Sequence, residues 1–247
     1  MSTTPHQRGF VLVTAVIFLV VLSLLGVMAM RNSLFEERFA ANDRDRAMAR
    51  ESAELALRDA ERDIQGLRFD GQFCSTAACT TLRPAGTRPI NATDAGNFWT
   101  FTNNDLVGLI NDPAVPVASD DGGNSLGANT RGVYTAFSAT GCGGPVWTGA
   151  NWNDGTVRTC AGTFNVSVPV VTYGTFTDAP VAAFAPANLQ AAPPPQYIIE
   201  MFTARDLGLI NSSNKFVFRV TGVGYGRTTG SNGARTSVTL QSVFSPL

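Results

Sequence analysis

The side chains that carry most protein chemistry are scarce in this 247-residue chain. Its only histidine is His6. A Ser–His–Asp triad, a Cys–His pair or a histidine metal site all need an imidazole in the folded part. His6 sits in a short polar stretch ahead of a long apolar run, so a cut between the two removes it. Carboxylate-pair hydrolysis survives this argument, but no compact acidic pair marks the C-terminal part. Asp120-Asp121-Gly122-Gly123-Asn124 offers oxygens to calcium without the ligand spacing of a known loop, which favours a polar turn. Trp147-Thr148-Gly149-Ala150-Asn151-Trp152-Asn153 offers aromatics to a sugar or a partner, yet packing is the simpler role for them. Gly222-Val223-Gly224-Tyr225-Gly226 resembles a phosphate-binding loop in composition only, because it lies in a strand pattern and opens no helix. The expectation is a protein that is not an enzyme and holds no cofactor or metal.

Cys74, Cys79, Cys142 and Cys160 form an even set, which suits disulfides in an oxidising compartment. Three pairings are open; Cys74–Cys79 with Cys142–Cys160 is preferred because short loops close at least entropic cost. Zinc is disfavoured by the wide Cys74 to Cys79 gap and the lack of a nearby histidine. The formal net charge of −1 gives no sign of a nucleic-acid partner. Charge is instead crowded between Arg31 and Asp63, and Lys215 is the only lysine.

The elements that position these residues begin with the N-terminus. Residues 1–9 are polar and end in Arg8-Gly9. From Phe10 to Met30 the chain is apolar, softened only by Thr14, Ser23 and Gly26. As a helix this run is about 30 Å long, the thickness of a bilayer core. Lipid tolerates such a segment only as a helix. Three fates compete: a secretory signal peptide cut after Ala29, an uncleaved signal anchor, and a leader cut after Gly9 so that the apolar helix is kept. The last is favoured because the apolar run passes without a proline into a long helical pattern. A basic residue and a glycine also stand at the polar–apolar junction, where a protease can approach the bare glycine backbone. The distribution of arginine opposes it: Arg8 precedes the span, while Arg31, Arg38, Arg44, Arg46 and Arg50 follow it.

From Arg31 to Gly66 apolar residues recur at three- and four-residue steps through Leu34, Phe35 and Phe39, then Met48, Ala49, Ala53, Ala56, Ala60 and Ile64. Strong helix formers dominate, and Gly66 is placed to stop the helix. Phe10 to Gln65 is then one rod, roughly 84 Å long. The narrow alanine stripe suits packing on a sheet, with the charged face mostly solvated.

Arg8-Gly9 before Phe10, with the apolar helix retained, resembles a class III prepilin leader. Glu37-Arg38, Asn42-Asp43-Arg44-Asp45-Arg46 and Glu51-Ser52-Ala53-Glu54-Leu55-Ala56-Leu57-Arg58 resemble, more narrowly, the PilX-type minor pilins of type IV pilus assembly. Phe216-Val217-Phe218-Arg219-Val220-Thr221-Gly222 and Thr236-Ser237-Val238-Thr239-Leu240-Gln241-Ser242 look like that family's closing hairpin. The resemblance implies cleavage between Gly9 and Phe10 by a prepilin peptidase and N-methylation of Phe10. It implies a single-pass inner-membrane subunit with a periplasmic head, later part of a surface pilus. Its partners would be other minor pilins, the major pilin, a tip adhesin and the inner-membrane assembly platform. Major pilins carry Glu at the fifth mature position; here that position is Thr14. Thr14 cannot neutralise a neighbour's N-terminal ammonium, which points to a priming or tip-located subunit. A K-type pseudopilin of a type II secretion system, which also lacks that Glu, is the alternative. A membrane-anchored or secreted binding protein or hydrolase is third.

The rest, residues 67–247, reads as a β-rich head. Strands are expected at Phe98–Phe101, Gly132–Phe137, Thr163–Tyr173, Tyr197–Phe202, Phe216–Tyr225 and Thr236–Phe244, the last two as a hairpin around residues 230–233. Residues 174–196 read as a surface loop. The expected fold is α+β and type IV pilin-like: a leader (1–9), a membrane or filament-core helix (10–30), its amphipathic continuation (31–66) and an antiparallel sheet packed on that helix.

Overall fold

The computed structural model describes residues 8–74, 81–83, 88–100, 132–135, 145–154, 170–181, 192–203, 216–231 and 233–245. Helix α1 spans Arg8–Gln65. The chain divides into two units, 1–44 and 45–247. In the first unit α1 is apolar from Phe10 to Met30 and its large side chains there lie bare, Phe10 being 75% exposed and Met30 71%. An uninterrupted apolar surface of this kind needs lipid or like helices around it.

In the second unit the stop at Gly66 is a Schellman motif. The Leu67 N–H donates to Arg62 O at 2.8 Å and the Gly66 N–H to Asp63 O at 3.2 Å. Gly66 has φ 75°, and a Cβ there would lie 2.8 Å from the Asn91 nitrogen, so only glycine fits.

A short helix α2, Ala92–Phe98, follows. It replaces the strand expected at Phe98–Phe101, of which Phe101 lies outside the described residues. The reason is local: Asn91 Oδ1 accepts from Asp94 N at 2.8 Å, and Asp94 Oδ2 accepts from Ile90 N at 2.8 Å. This reciprocal cap fixes a helix start that the aromatic run Phe98-Trp99 obscured. Its end delivers Trp99 to the core, where Nε1 donates to Ile64 O at 2.8 Å and the ring meets Phe218 edge-on at 5.1 Å.

The sheet contains β1 (Val133–Thr135), β2 (Val171–Thr172), β3 (Gln196–Thr203), β4 (Phe216–Thr229) and β5 (Arg235–Phe244). Its order is β1-β3-β4-β5, with β2 also on β3. It is antiparallel except for β1, which runs parallel to β3 from Val133 opposite Ile199. The β4–β5 hairpin forms as expected and closes with Gly233 at φ 80°. Of the expected strand Thr163–Tyr173, only β2 falls among the described residues.

One face of the sheet carries Val133, Tyr197, Ile199, Met201, Phe218 and Val220 against Ala56, Ala60 and Ile64 of α1. The other carries Tyr134, Ile198, Val223 and Tyr225 beneath Val146, Ala150 and Trp152. The unit is therefore α+β in three layers: helix, sheet, and a covering segment. Trp152 is a core residue and Trp147 is half-buried against the same cluster, so this aromatic pair packs. The surface loop expected at residues 174–196, of which 182–191 lie outside the described residues, is not a simple one either. Phe176 and Thr177 are buried, because they wrap the end of α1.

Candidate functional site: the assembly helix and its seat

Assembly through a helix needs two things: an interactive helix surface, and a head fixed firmly to the same helix. From Phe10 to Met30 the surface is apolar, and the hydroxyls within it are spent internally. The Thr14 hydroxyl donates to Phe10 O or Val11 O, each at 3.0 Å, and Ser23 to Leu19 O at 2.7 Å. Thr14 thus offers no charge and keeps its hydroxyl on its own helix. Gly9 and Phe10 lie within α1, Phe10 with its ring exposed.

The seat in the second unit rests on small residues meeting small residues. Gly222, Gly224 and Gly226 fall on one face of β4 at two-residue spacing, beneath Ala49, Ala53 and Ala56. A Cβ at Gly222 would lie 3.1 Å from Ala53 O and 3.2 Å from the Ala56 Cβ; one at Gly224 would lie 2.7 Å from the Ser52 carbonyl carbon. The glycine run thus lets the helix backbone lie against the strand. Beside Gly226, the Asp45 carboxylate accepts from Arg227 N at 2.7 Å, Thr228 N at 3.3 Å and the Thr228 hydroxyl. Burial pushes the Asp45 carboxyl up, but these bonds and Thr236 outweigh it and hold it below its usual value.

The far end of the seat is ionic. Asp63 is fully buried and accepts from Arg88 Nε at 2.9 and 3.1 Å and from the Tyr197 hydroxyl at 3.0 Å, with an Arg83 nitrogen 3.3 Å away. Arg83 also donates to the carbonyls of Asp63 (3.0 Å), Leu67 (3.2 Å), Pro89 (2.6 Å) and Phe176 (2.7 Å). It thereby satisfies carbonyls at the helix C-terminus and opposes the dipole there. Arg88 stacks 4.1 Å over the Phe176 ring. Burial lowers the pKa of Arg83 and raises that of Tyr197 well above its ordinary value, the latter reinforced by Asp63.

Asp59, one turn earlier, accepts from Gly174 N at 2.9 Å and from the Thr177 hydroxyl. Burial, aided by repulsion from Asp63 and opposed by those two bonds, raises its carboxyl from 3.8 to about 6. This shift sets a pH dependence. Below 3.8 both folded and unfolded chains hold the proton; between 3.8 and 6 only the folded chain does. Stability from the protonated form is therefore complete below the unfolded value and lost as pH rises through 6, a change of ~3 kcal/mol. Asp59→Asn should remove it. The gap in melting midpoint between this variant and the parent should widen in the variant's favour from pH 4 to 7; a constant gap would contradict the assignment.

These acidic residues were legible only in part. Asp45, Asp59 and Asp63 share the helix face of the alanine stripe and are buried, whereas the sequence placed charge mostly in solvent. The correction is physical: Arg83, Arg88, Thr177 and Thr228 come from distant segments and meet them. Exposed pairs such as Arg50–Glu54, 3.4 Å apart, do keep to solvent. Cys74 is buried and disulfide-bonded. Cys79, Cys142 and Cys160 lie outside the described residues, as does Asp120–Asn124.

The PilX N-terminal family model matches residues 8–58. The model for the type IV pilus assembly protein PilX C-terminal region matches residues 81–246, two thirds of the chain. The chain belongs to the PilX family. No curated protein and no solved structure matches it. The PilX N-terminal match ends within the seat, past Ala49, Ala53 and Ala56. The PilX C-terminal match covers Arg83, Arg88, β3 and the glycine run. As a PilX-type protein the chain is a type IV pilus minor pilin, a structural class, and its apolar N-terminal helix is consistent with a transmembrane anchor.

Proposed function

We propose that this minor pilin primes or caps type IV pilus assembly, joining the fibre near its tip through α1 after removal of residues 1–9. The supporting observation is Thr14. Counted from Phe10 it is the fifth mature residue, and its hydroxyl is bonded within its own helix. A subunit that repeats along a fibre must neutralise the ammonium of the neighbour it meets inside the helix bundle, where an unpaired charge is strongly destabilising. Thr14 offers no negative charge, so the subunit suits a position where no such neighbour follows. Before assembly α1 anchors it in the inner membrane with residues 67–247 in the periplasm; afterwards it is exposed on the pilus. Its partners are other minor pilins, the major pilin, a tip adhesin and the assembly platform, and it performs no catalysis. The PilX match over both halves favours this over a K-type secretion pseudopilin. Cleavage by a prepilin peptidase, methylation of Phe10 and pairing of Cys74 with Cys79 and of Cys142 with Cys160 belong to the same proposal.

Thr14→Glu tests the placement. With a carboxylate restored, copies of this subunit per major subunit in sheared fibres should rise several-fold, measured by quantitative mass spectrometry. Unchanged stoichiometry together with unchanged piliation would defeat the tip assignment.

A further inference from the structure

Asp59 and Asp63 stand one turn apart on α1, and both are fully buried. The ion pairs of Arg83 and Arg88 go to Asp63, at 3.3 and 2.9 Å. Asp59 instead accepts from two neutral donors, Gly174 N at 2.9 Å and the Thr177 hydroxyl. Both donors belong to residues 173–180, the segment that wraps the end of α1. The charged and titratable groups around Asp59 are Arg62 and Asp63 on α1, Arg83 and Arg88, Tyr173 on the wrapping segment and Tyr197 on β3. Burial and Asp63 oppose a charge on Asp59; its two hydrogen bonds and Arg62 favour one.

The wrapping segment is a tight turn held in an unusual conformation. At its start Gly174 has φ 82°, and a Cβ there would run into Ala179 O. Near its end Asp178 has φ 59°, in the left-handed region that side chains other than glycine's rarely enter. The Asp178 N–H donates to Gly174 O at 3.0 Å and closes the turn. The turn is tied down by Phe69 N to Thr177 O (2.8 Å), Arg83 Nε to Phe176 O (2.7 Å) and Arg68 to Asp178 (2.9 Å). The last pair is partly exposed, and such pairs hold little. Asp59 is the buried tie.

We propose that residues 173–180 are an acid-held latch on the end of α1, closed while Asp59 carries a proton and opening when it loses it. A second negative charge next to Asp63 is costly in a dry pocket and is relieved once water reaches it. Lifting the segment that supplies Gly174 N and the Thr177 hydroxyl admits that water. The closed form binds the proton up to about pH 6, whereas a solvated Asp59 releases it near 3.8. Closure is therefore firmest below 3.8, weakens as pH rises to 6 and is level above. Opening also parts the Phe176 ring from Arg88, 4.1 Å away, and its carbonyl from Arg83. Acidity would thus set how tightly the head grips the end of α1. This inference concerns the head and stands whether or not the subunit sits at the tip.

Amide hydrogen exchange of the full-length chain in detergent, corrected for the intrinsic rate at each pH, tests the latch. The amides of Gly174, Asp178 and Phe69 should exchange through a local opening that dilute urea leaves unchanged. Their protection should fall about tenfold or more from pH 4 to 7. The β4 ladder should stay more strongly protected than they are at both pH values. Asp59→Asn keeps an acceptor for Gly174 N and cannot ionise, so these three amides should hold their protection across the range. Thr177→Val removes a bond that favours the charged form, so its fall should extend to higher pH than in the parent. The parent profile and Thr177→Val carry the test even without a folded Asp59→Asn. Protection independent of pH in the parent, an equal fall in Asp59→Asn, or exchange of the segment only together with the β4 ladder would each overturn the proposal.

Discussion

Asp63→Asn is expected to be the most damaging single-atom change in the head. The substitution keeps the shape of the side chain and removes its charge. Arg83 and Arg88, both fully buried, then lose their shared counterion, and the new amide directs N–H groups toward guanidinium donors. Removing one partner of a buried ionic cluster costs about 3–5 kcal/mol, because the desolvated charge left behind has nothing to offset it. A domain stable by about 5–15 kcal/mol can lose most of its margin in this way. Urea unfolding of the full-length chain in detergent, followed by near-ultraviolet circular dichroism of the packed tryptophans, should show a midpoint lowered by at least half. Arg50→Ala is the control. Its pair with Glu54 is exposed, so a change of under about 0.5 kcal/mol is expected. Equal effects from the two variants would remove the ionic seat from the account.

Gly224→Val is the second large effect. A Cβ there would fall on the backbone of Ala49, Ser52 and Ala53, not on a side chain that can turn away. β4 cannot retreat without giving up its pairing to β3 or β5, and the helix cannot retreat without losing Asp45 and Gly222 as well. The expected cost is about 3 kcal/mol or more, at the upper end for overpacking. Gly96→Ala should move the other way. Its site in α2 is open, and alanine favours a helix over glycine by about 0.5–1 kcal/mol. Melting midpoints of the two variants should therefore diverge. A Gly224→Val head that melts with its parent would mean that the helix does not lie on this strand.

What could be read from the sequence followed the range of the signal. The 3.6-residue recurrence through Ala49, Ala53, Ala56 and Ala60, the stop at Gly66 and the closing hairpin of β4 and β5 are all local, and each is present where expected. The start of α2 was also local, in Asn91 and Asp94, but the neighbouring aromatics outweighed it. Parallel pairing of β1 with β3 had no such signal, since it joins residues more than sixty positions apart. Nor did the ionic seat: Asp63 reads as one more helix charge until the chain brings Arg83 and Arg88 back to it. The glycine run was read as part of a strand with no phosphate role, and it is one, but its packing partner went unread. Three glycines at alternate strand positions mean that something approaches closely, and the partner they admit is the alanine stripe of this chain's own helix, not a phosphate.

The central claim is that the apolar part of α1 survives maturation and becomes the contact between subunits. It is tested most directly by intact mass and N-terminal sequencing of this chain recovered from sheared fibres. The account predicts a polypeptide that begins at Phe10 and carries one methyl group on its terminal nitrogen. A mature chain beginning at Met30 would contradict it, because the helix assigned to assembly would then have been removed.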